Sequence, residues 1–96
     1  MTSPRIAAVA LIAALTAGIA AAETDQERCQ KECEYMAKHR IAAHVFGCIG
    51  KFEGIGVSRN AKTATCKPDP RRKLRLTGDA TCRSKGGWFY RVRSWR

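Results

Sequence analysis

The distribution of apolar and polar positions predicts one amphipathic helix near the start of the chain, followed by several short strands. Between about Thr24 and about Val45, apolar and small side chains recur at helical spacing, and most charged side chains fall on the opposite face. The predicted apolar face consists of Cys29, Cys33, Met36, Ala37, Ile41, Ala43 and His44. Later elements are expected to pack on this helix.

Local signals predict both ends of the helix. Thr24 followed three residues later by Glu27 matches a capping box, and Asp25 adds negative charge where the helix dipole favours it. Gly47 and Gly50 are predicted to end the helix and to let the chain turn.

The chain after the helix alternates between strand and loop signals. Gly50 to Ser58 combines spaced apolar residues with three glycines, which predicts a first strand with a bulge or a close backbone approach. Two prolines then indicate a surface loop that carries an exposed basic cluster, Arg71-Arg72-Lys73. Thr77-Gly78-Asp79 is typical of a turn, and a hairpin around it would bring Cys66 close to Cys82.

The last element, Trp88 to Trp95, is rich in aromatic residues and predicts a strand with two different faces. Trp88, Tyr90 and Val92 are expected to pack onto the helix, and the other face alternates arginine with aromatic residues. Such a face can bind bases, sugars or a membrane surface. The alternative is an edge strand whose solvated arginines prevent pairing with other chains.

The first 22 residues predict a secretory signal peptide. Arg5 precedes an uncharged, mainly apolar run that ends in three alanines before Glu23. A membrane anchor is the alternative, but no basic stop-transfer flank follows the run. We therefore expect residues 1–22 to be removed and residues 23–96 to form one small domain that is secreted or periplasmic.

Export would place the cysteines in an oxidising compartment, where disulfides are the default. The candidates for disulfides are Cys29, Cys33, Cys48, Cys66 and Cys82. Their odd number leaves one thiol unpaired, which could link two chains into a dimer. We favour a bridge from the helix, through Cys29 or Cys33, to the sheet. The spacing of these cysteines with His39 and His44 matches no usual zinc pattern, so we expect no metal and no cofactor.

Charge divides the chain into two unlike halves within a formal net charge of +10. Residues 23–56 are nearly neutral, whereas residues 57–96 carry twelve basic residues against Asp69 and Asp79. A field of this sign attracts an anionic polymer, an anionic membrane surface or an acidic protein.

The sequence therefore predicts an α+β fold, one N-terminal amphipathic helix packed on a small antiparallel sheet and stapled by disulfides. We expect a cationic binding or accessory protein and not an enzyme. The predicted binding residues are Arg71, Arg72, Lys73, Arg75, Trp88, Phe89, Arg91, Arg93 and Trp95. The alternatives are a membrane-active toxin or antimicrobial polypeptide, and a small secreted nuclease or hydrolase that would use histidine and arginine, with His39 and His44 the histidines available. No arrangement of an acid and a base around a pocket is evident from the sequence.

Overall fold

A computed structural model describes residues 22–96, which form one helix packed on a three-stranded antiparallel sheet. The helix, α1, spans Asp25–His39, and the strands are β1 (Phe52–Ser58), β2 (Leu76–Arg83) and β3 (Phe89–Trp95). The predicted α+β class and antiparallel sheet are confirmed. The predicted signal peptide lies almost entirely outside the described residues.

The start of α1 is the predicted capping box. The Thr24 hydroxyl accepts a hydrogen bond from the Glu27 amide at 3.1 Å, and the Glu27 carboxylate accepts one from the Thr24 amide at 3.0 Å. These bonds satisfy two amides that a helix start otherwise leaves without partners. They also lower the pKa of Glu27, because they favour its charged form.

The predicted end of the helix, near Val45, is wrong. Helix α1 ends at His39, and Arg40 adopts a left-handed backbone conformation with φ 56° while its amide bonds the Met36 carbonyl. The helix is therefore capped by a non-glycine residue before Gly47 is reached. Ile41, Ala43 and His44 consequently belong to a loop, and His44 does not share the helix face of the cysteines.

Strand β3 lies at the centre of the sheet, in the order β1-β3-β2. The alternative prediction of an edge strand is therefore wrong, because both neighbours pair with β3 along its length. Helix α1 packs on β2 and β3, and the loop before β1 supplies Ile49 to cover the same face. The core consists of Cys29, Cys33, Met36, Ala37, Ile49, Ala80, Tyr90 and Val92.

Gly78 lies inside β2, so the predicted turn at Thr77-Gly78-Asp79 is wrong. A Cβ atom on Gly78 would lie 2.8 Å from Cys29 Sγ and 2.7 Å from Ser94 Oγ. The glycine is needed because α1 approaches the sheet closely at this point. The predicted proximity of Cys66 and Cys82 fails with that turn. Cys82 lies on the outer strand β2, where it pairs with Tyr90. The Cys66 backbone lies against Gly54 of the other outer strand, β1.

The close backbone approach predicted around the β1 glycines is confirmed. A side chain at Gly54 would overlap the carbonyl oxygen of Cys66, and one at Gly56 would overlap that of Ala64. We call residues 63–66 the covering segment, because they lie across β1 on the sheet face opposite α1. The two glycines make room for this segment.

Candidate functional site

The sheet face opposite α1 carries the side chains most relevant to binding. Because side chains alternate along β3, Tyr90 and Val92 face the core while Arg91 and Arg93 face away from α1. Trp88 does not pack onto the helix as predicted. It precedes β3, is 41% exposed, and lies beneath the Arg59 guanidinium at 4.6 Å.

Three arginines stack on aromatic rings across this sheet face. The guanidinium carbon lies 5.3 Å from the ring centroid in the Arg93–Trp95 pair, 5.7 Å in Arg83–Phe89 and 5.8 Å in Arg72–Phe52. The rings of Phe52 and Trp95 also meet edge to face at 5.6 Å. We call this set the arginine–aromatic face, and it consists of Phe52, Arg72, Arg83, Phe89, Arg93 and Trp95. Stacking attracts each cation to its ring and limits its freedom.

The three arginines of this face have no carboxylate partner within residues 22–96. Arg93 Nε donates to the Thr65 hydroxyl at 2.8 Å, and Arg72 reaches the Lys51 carbonyl at 3.4 Å. Burial, with the nearby charge of Arg91, lowers the pKa of Arg93. An anion bound at this face would relieve that unfavourable environment.

Arg91, a predicted binding residue, has a structural partner. It donates two hydrogen bonds to the Asp79 carboxylate, at 2.9 and 2.7 Å, and a third to the Thr63 carbonyl at 3.0 Å. These bonds raise the pKa of Arg91 and lower that of Asp79. Arg91 therefore links β2 to the covering segment, and its charge is largely compensated inside the molecule.

The predicted basic loop is exposed, as expected, around a short 3₁₀ turn at Pro70–Arg72. Within it, Arg71 forms an ion pair with Asp69 at 2.7 Å, which lowers the pKa of Asp69. Lys73 and Arg75 are exposed, and Arg75 exchanges backbone hydrogen bonds with Arg96. This arrangement places Arg75 beside the Trp95 end of the arginine–aromatic face.

At the other end of that face, Arg83 borders a cationic groove of about 600 Å³. The groove lies between the end of α1 and the end of β2, and Lys38, Arg40, Arg83 and Lys85 line it together with Glu34. Sequence reasoning missed the groove because these residues come from two distant segments. Only the packing of α1 on β2 brings them together.

Sequence reasoning also missed two buried carboxyl groups, those of Glu32 and Glu53. Glu32 is fully buried on α1, and the Glu53 side chain is fully buried on β1. A signal for Glu32 was present, because residue 32 lies on the same helix face as Cys29 and Met36. Nothing in the local pattern of β1 marks Glu53.

His44 lies beside these carboxyl groups and not beside the cysteines. Its Nδ1 is 2.8 Å from Glu53 Oε2, and the Ile49 amide donates to Glu53 Oε1 at 2.9 Å. Among residues 22–96, neither oxygen of Glu32 finds a hydrogen-bond partner of ordinary geometry. Burial, and secondarily the neighbouring Glu53, raise the pKa of Glu32 to about 8, although the amides of Val45 and Phe46 oppose the rise. We call Glu32, His44 and Glu53 the carboxyl–histidine cluster.

None of the five cysteines is at disulfide-bonding distance from another. Cys29 and Cys33 are buried, as predicted, while Cys48 and Cys66 are exposed. The Cys33 thiol lies 3.0 Å from the carbonyl of Tyr90, whose partner in β2 is Cys82, and burial raises the pKa of Cys33. The histidines do not join these thiols, since His39 stacks on Tyr35 at 4.1 Å.

Within residues 22–96, no helix has the length and apolar character needed to cross a bilayer. Comparison of the chain with protein-family models, with curated proteins and with solved structures gave no match. The site must therefore be interpreted from its own geometry and charge.

Proposed function

We propose that this chain is an exported cationic binding protein whose arginine–aromatic face engages an anionic polymer. The observation that carries the proposal is the row of three stacked arginines, none of which has a carboxylate partner within residues 22–96. Arginine suits this role because its planar group can stack on a ring and still donate hydrogen bonds from its edge to an anion.

The dimensions of the face favour a linear ligand. Phe89 and Trp95 lie at opposite ends of β3, about 20 Å apart at the usual rise of a strand. Arg83 therefore marks one end of the row, while Arg93 and Arg72 mark the other. A chain of sulfates, phosphates or carboxylates can contact both ends, which a single small anion cannot.

The exposure of the aromatic residues favours surface binding over insertion into a membrane. Trp95 is only 8% exposed, and its ring lies between Phe52 and Arg93. Phe89 is half-buried and has Arg83 over its ring. Interfacial proteins expose aromatic side chains to reach the acyl boundary, whereas here arginines cover the rings. Contact with a hydrated polyanion requires no rearrangement of these residues.

The double substitution Arg72→Gln with Arg83→Gln is expected to weaken binding to heparin, used as a model polyanion, by roughly tenfold or more at physiological salt. Each arginine that contacts the polyanion releases counterions from it. Without these contacts fewer counterions are released, so the affinity should depend less steeply on salt concentration. Both side chains are exposed and form no ion pair with any residue of 22–96, so the domain should still fold. Binding would be measured by titration calorimetry across several salt concentrations.

The matched control removes the same charge from the helix, through Arg28→Gln with Lys31→Gln. This variant should retain nearly all of the heparin affinity, because its side chains do not belong to the sheet face opposite α1. Equal losses in the two variants would mean that net charge alone governs binding, which would refute the proposed face. Release of dye from anionic vesicles by the wild-type protein would instead support the membrane-active alternative.

We also propose that export leads to a disulfide between Cys33 and Cys82. The Cys33 thiol projects from α1 onto the carbonyls of Ala80 and Tyr90, Cys82 is the strand partner of Tyr90, and Gln30 Nε2 is 3.5 Å from Cys82 Sγ. A bridge here would join the helix to the sheet in a domain whose small core provides limited stabilisation.

Peptide mapping of the unreduced secreted protein is expected to recover a Cys33–Cys82 crosslinked peptide. Cys29 should remain a thiol, because its Sγ is enclosed by Ser94 and the Gly78 backbone. The same spectra would reveal cleavage after Ala22 and any dimer linked through Cys48 or Cys66. Recovery of five free thiols from the secreted protein would refute the proposed bridge.

A further inference from the structure

We propose that Glu32, His44 and Glu53 form a binding site for a divalent transition-metal cation. The three residues come from α1, from the loop after it and from β1. One potential ligand atom from each lies within 4.8 Å of those of the other two. The site is separate from the arginine–aromatic face, because it lies on the helix side of the sheet.

Burial of two carboxyl groups without a cation is the first argument. Ionised carboxylates are costly to remove from water unless they are paired or bind a metal. Within residues 22–96, no lysine or arginine lies within ion-pair distance of Glu32 or Glu53. Among these residues His44 pairs with Glu53, so the fully buried Glu32 carboxyl group, whose oxygens make no hydrogen bond of ordinary geometry there, faces the cluster without a basic partner.

The spacing of the ligand atoms is the second argument. Metal–ligand bonds of about 2.0–2.2 Å place neighbouring tetrahedral ligands about 3.3–3.6 Å apart. The His44–Glu53 separation of 2.8 Å would have to widen slightly, and the remaining separations are all at or below 4.8 Å. The Ile49 amide already holds one Glu53 oxygen in place, as hydrogen bonds to metal-binding carboxylates usually do.

The position of His44 provides access for the ion. Its side chain is about half exposed, whereas both carboxyl groups are enclosed. An ion could therefore enter beside the imidazole, and water could complete its coordination from the solvent side. Two carboxylates and one imidazole favour manganese, iron or zinc over soft ions that require thiolate.

Titration of the isotopically labelled protein with Mn²⁺ tests the site, because this ion broadens NMR signals near it and competes poorly for the cysteines. We expect broadening to centre on the amides of residues 32, 44–46 and 53. Glu32→Gln and His44→Ala should each weaken Mn²⁺ binding more than about tenfold, since substitutions outside the coordination sphere already cost 10–100-fold. Two variants are tested, so that the conclusion does not depend on the correct folding of a single one.

The matched control is Glu34→Gln, which removes an exposed carboxylate two residues from Glu32 on the same helix. It should leave both the affinity and the broadening pattern unchanged. A pair of carboxyl groups that merely shares a proton would show no broadening at millimolar Mn²⁺. That result, or broadening that persists in Glu32→Gln, would overturn the proposed metal site.

Discussion

Replacement of Glu32 by Gln is expected to stabilise the metal-free protein above pH 8 by roughly 3–5 kcal/mol. The folded state raises the pKa of this buried carboxyl group from 4.5 to about 8, so above that pH the wild type must bury a negative charge next to Glu53. Glutamine has nearly the same shape, carries no charge and can donate a hydrogen bond to Glu53. The free energy of unfolding would be measured by urea denaturation in EDTA.

The pH dependence of stability follows from whether the folded or the unfolded state binds the proton of Glu32. Between about pH 4.5 and about pH 8, Glu32 is protonated in the folded protein and ionised in the unfolded chain. The folded state then holds more protons, so stability falls as the pH rises through this window. Below the window, both states are protonated and the contribution of Glu32 is fully present.

Two controls separate this effect from a general response to charge. Glu34→Gln removes an exposed carboxylate from the same helix and should shift stability by less than about 0.5 kcal/mol at every pH. Asp25 and Asp79 have a lowered pKa, through hydrogen bonds from Arg96 and Arg91 respectively, so their contribution is lost only when the pH falls below about 4. If the wild-type stability were constant from pH 5 to pH 9, Glu32 would not be buried as described.

The second large effect is expected from Gly56→Ala, which should destabilise the domain by about 3 kcal/mol. The added methyl group would overlap the carbonyl oxygen of Ala64, and backbone atoms cannot move aside as a flexible side chain can. The covering segment would be displaced, and with it the hydrogen bond from Arg91 to the Thr63 carbonyl. Thermal and urea unfolding would both report the loss.

Gly86→Ala is the matched control for this substitution. Gly86 lies in the turn before β3, and the nearest atom of residues 22–96 to an added Cβ would lie at 3.7 Å, an ordinary contact distance. The free energy of unfolding of the Gly86→Ala protein should remain within about 0.5 kcal/mol of the wild-type value. A Gly56→Ala protein as stable as Gly86→Ala would show that the covering segment does not pack on β1.

The elements that sequence reasoning located well are those set by local signals. The capping box at Thr24 and Glu27 is a contiguous pattern with one structural solution, and the alternation along β3 correctly assigned Tyr90 and Val92 to the core. The glycines of β1 were also interpreted correctly as a close backbone approach. In each case, the feature that determines the structure is either a short contiguous pattern or a pattern that repeats along one strand.

The errors arose where packing between distant segments determines the structure. Gly78 resembles a turn residue, but it lies in a strand, where glycine is required because Cys29 of α1 leaves no space for a side chain. Arg40 ends the helix without a glycine, and this early end lets His44 reach Glu53. The central position of β3 depends on pairing with strands on both sides, which no single stretch of sequence reveals.

The candidate site was predictable only in part. Alternation along β3 identified Arg93 and Trp95, but not Arg83 or Arg72 as their neighbours across the face. It also could not show that Asp79 compensates the charge of Arg91. Composition gives the sign of the charge, whereas the fold determines which arginines lack a carboxylate partner.

The central claim is that an anionic polymer binds across the arginine–aromatic face. NMR titration of the labelled protein with a short heparin fragment tests it most directly, because every amide reports its own environment. We predict shifts concentrated at Phe52, Arg72, Arg83, Phe89, Arg93 and Trp95, with little change on the solvent side of α1. Shifts spread evenly over all basic residues, or concentrated on α1, would contradict the account.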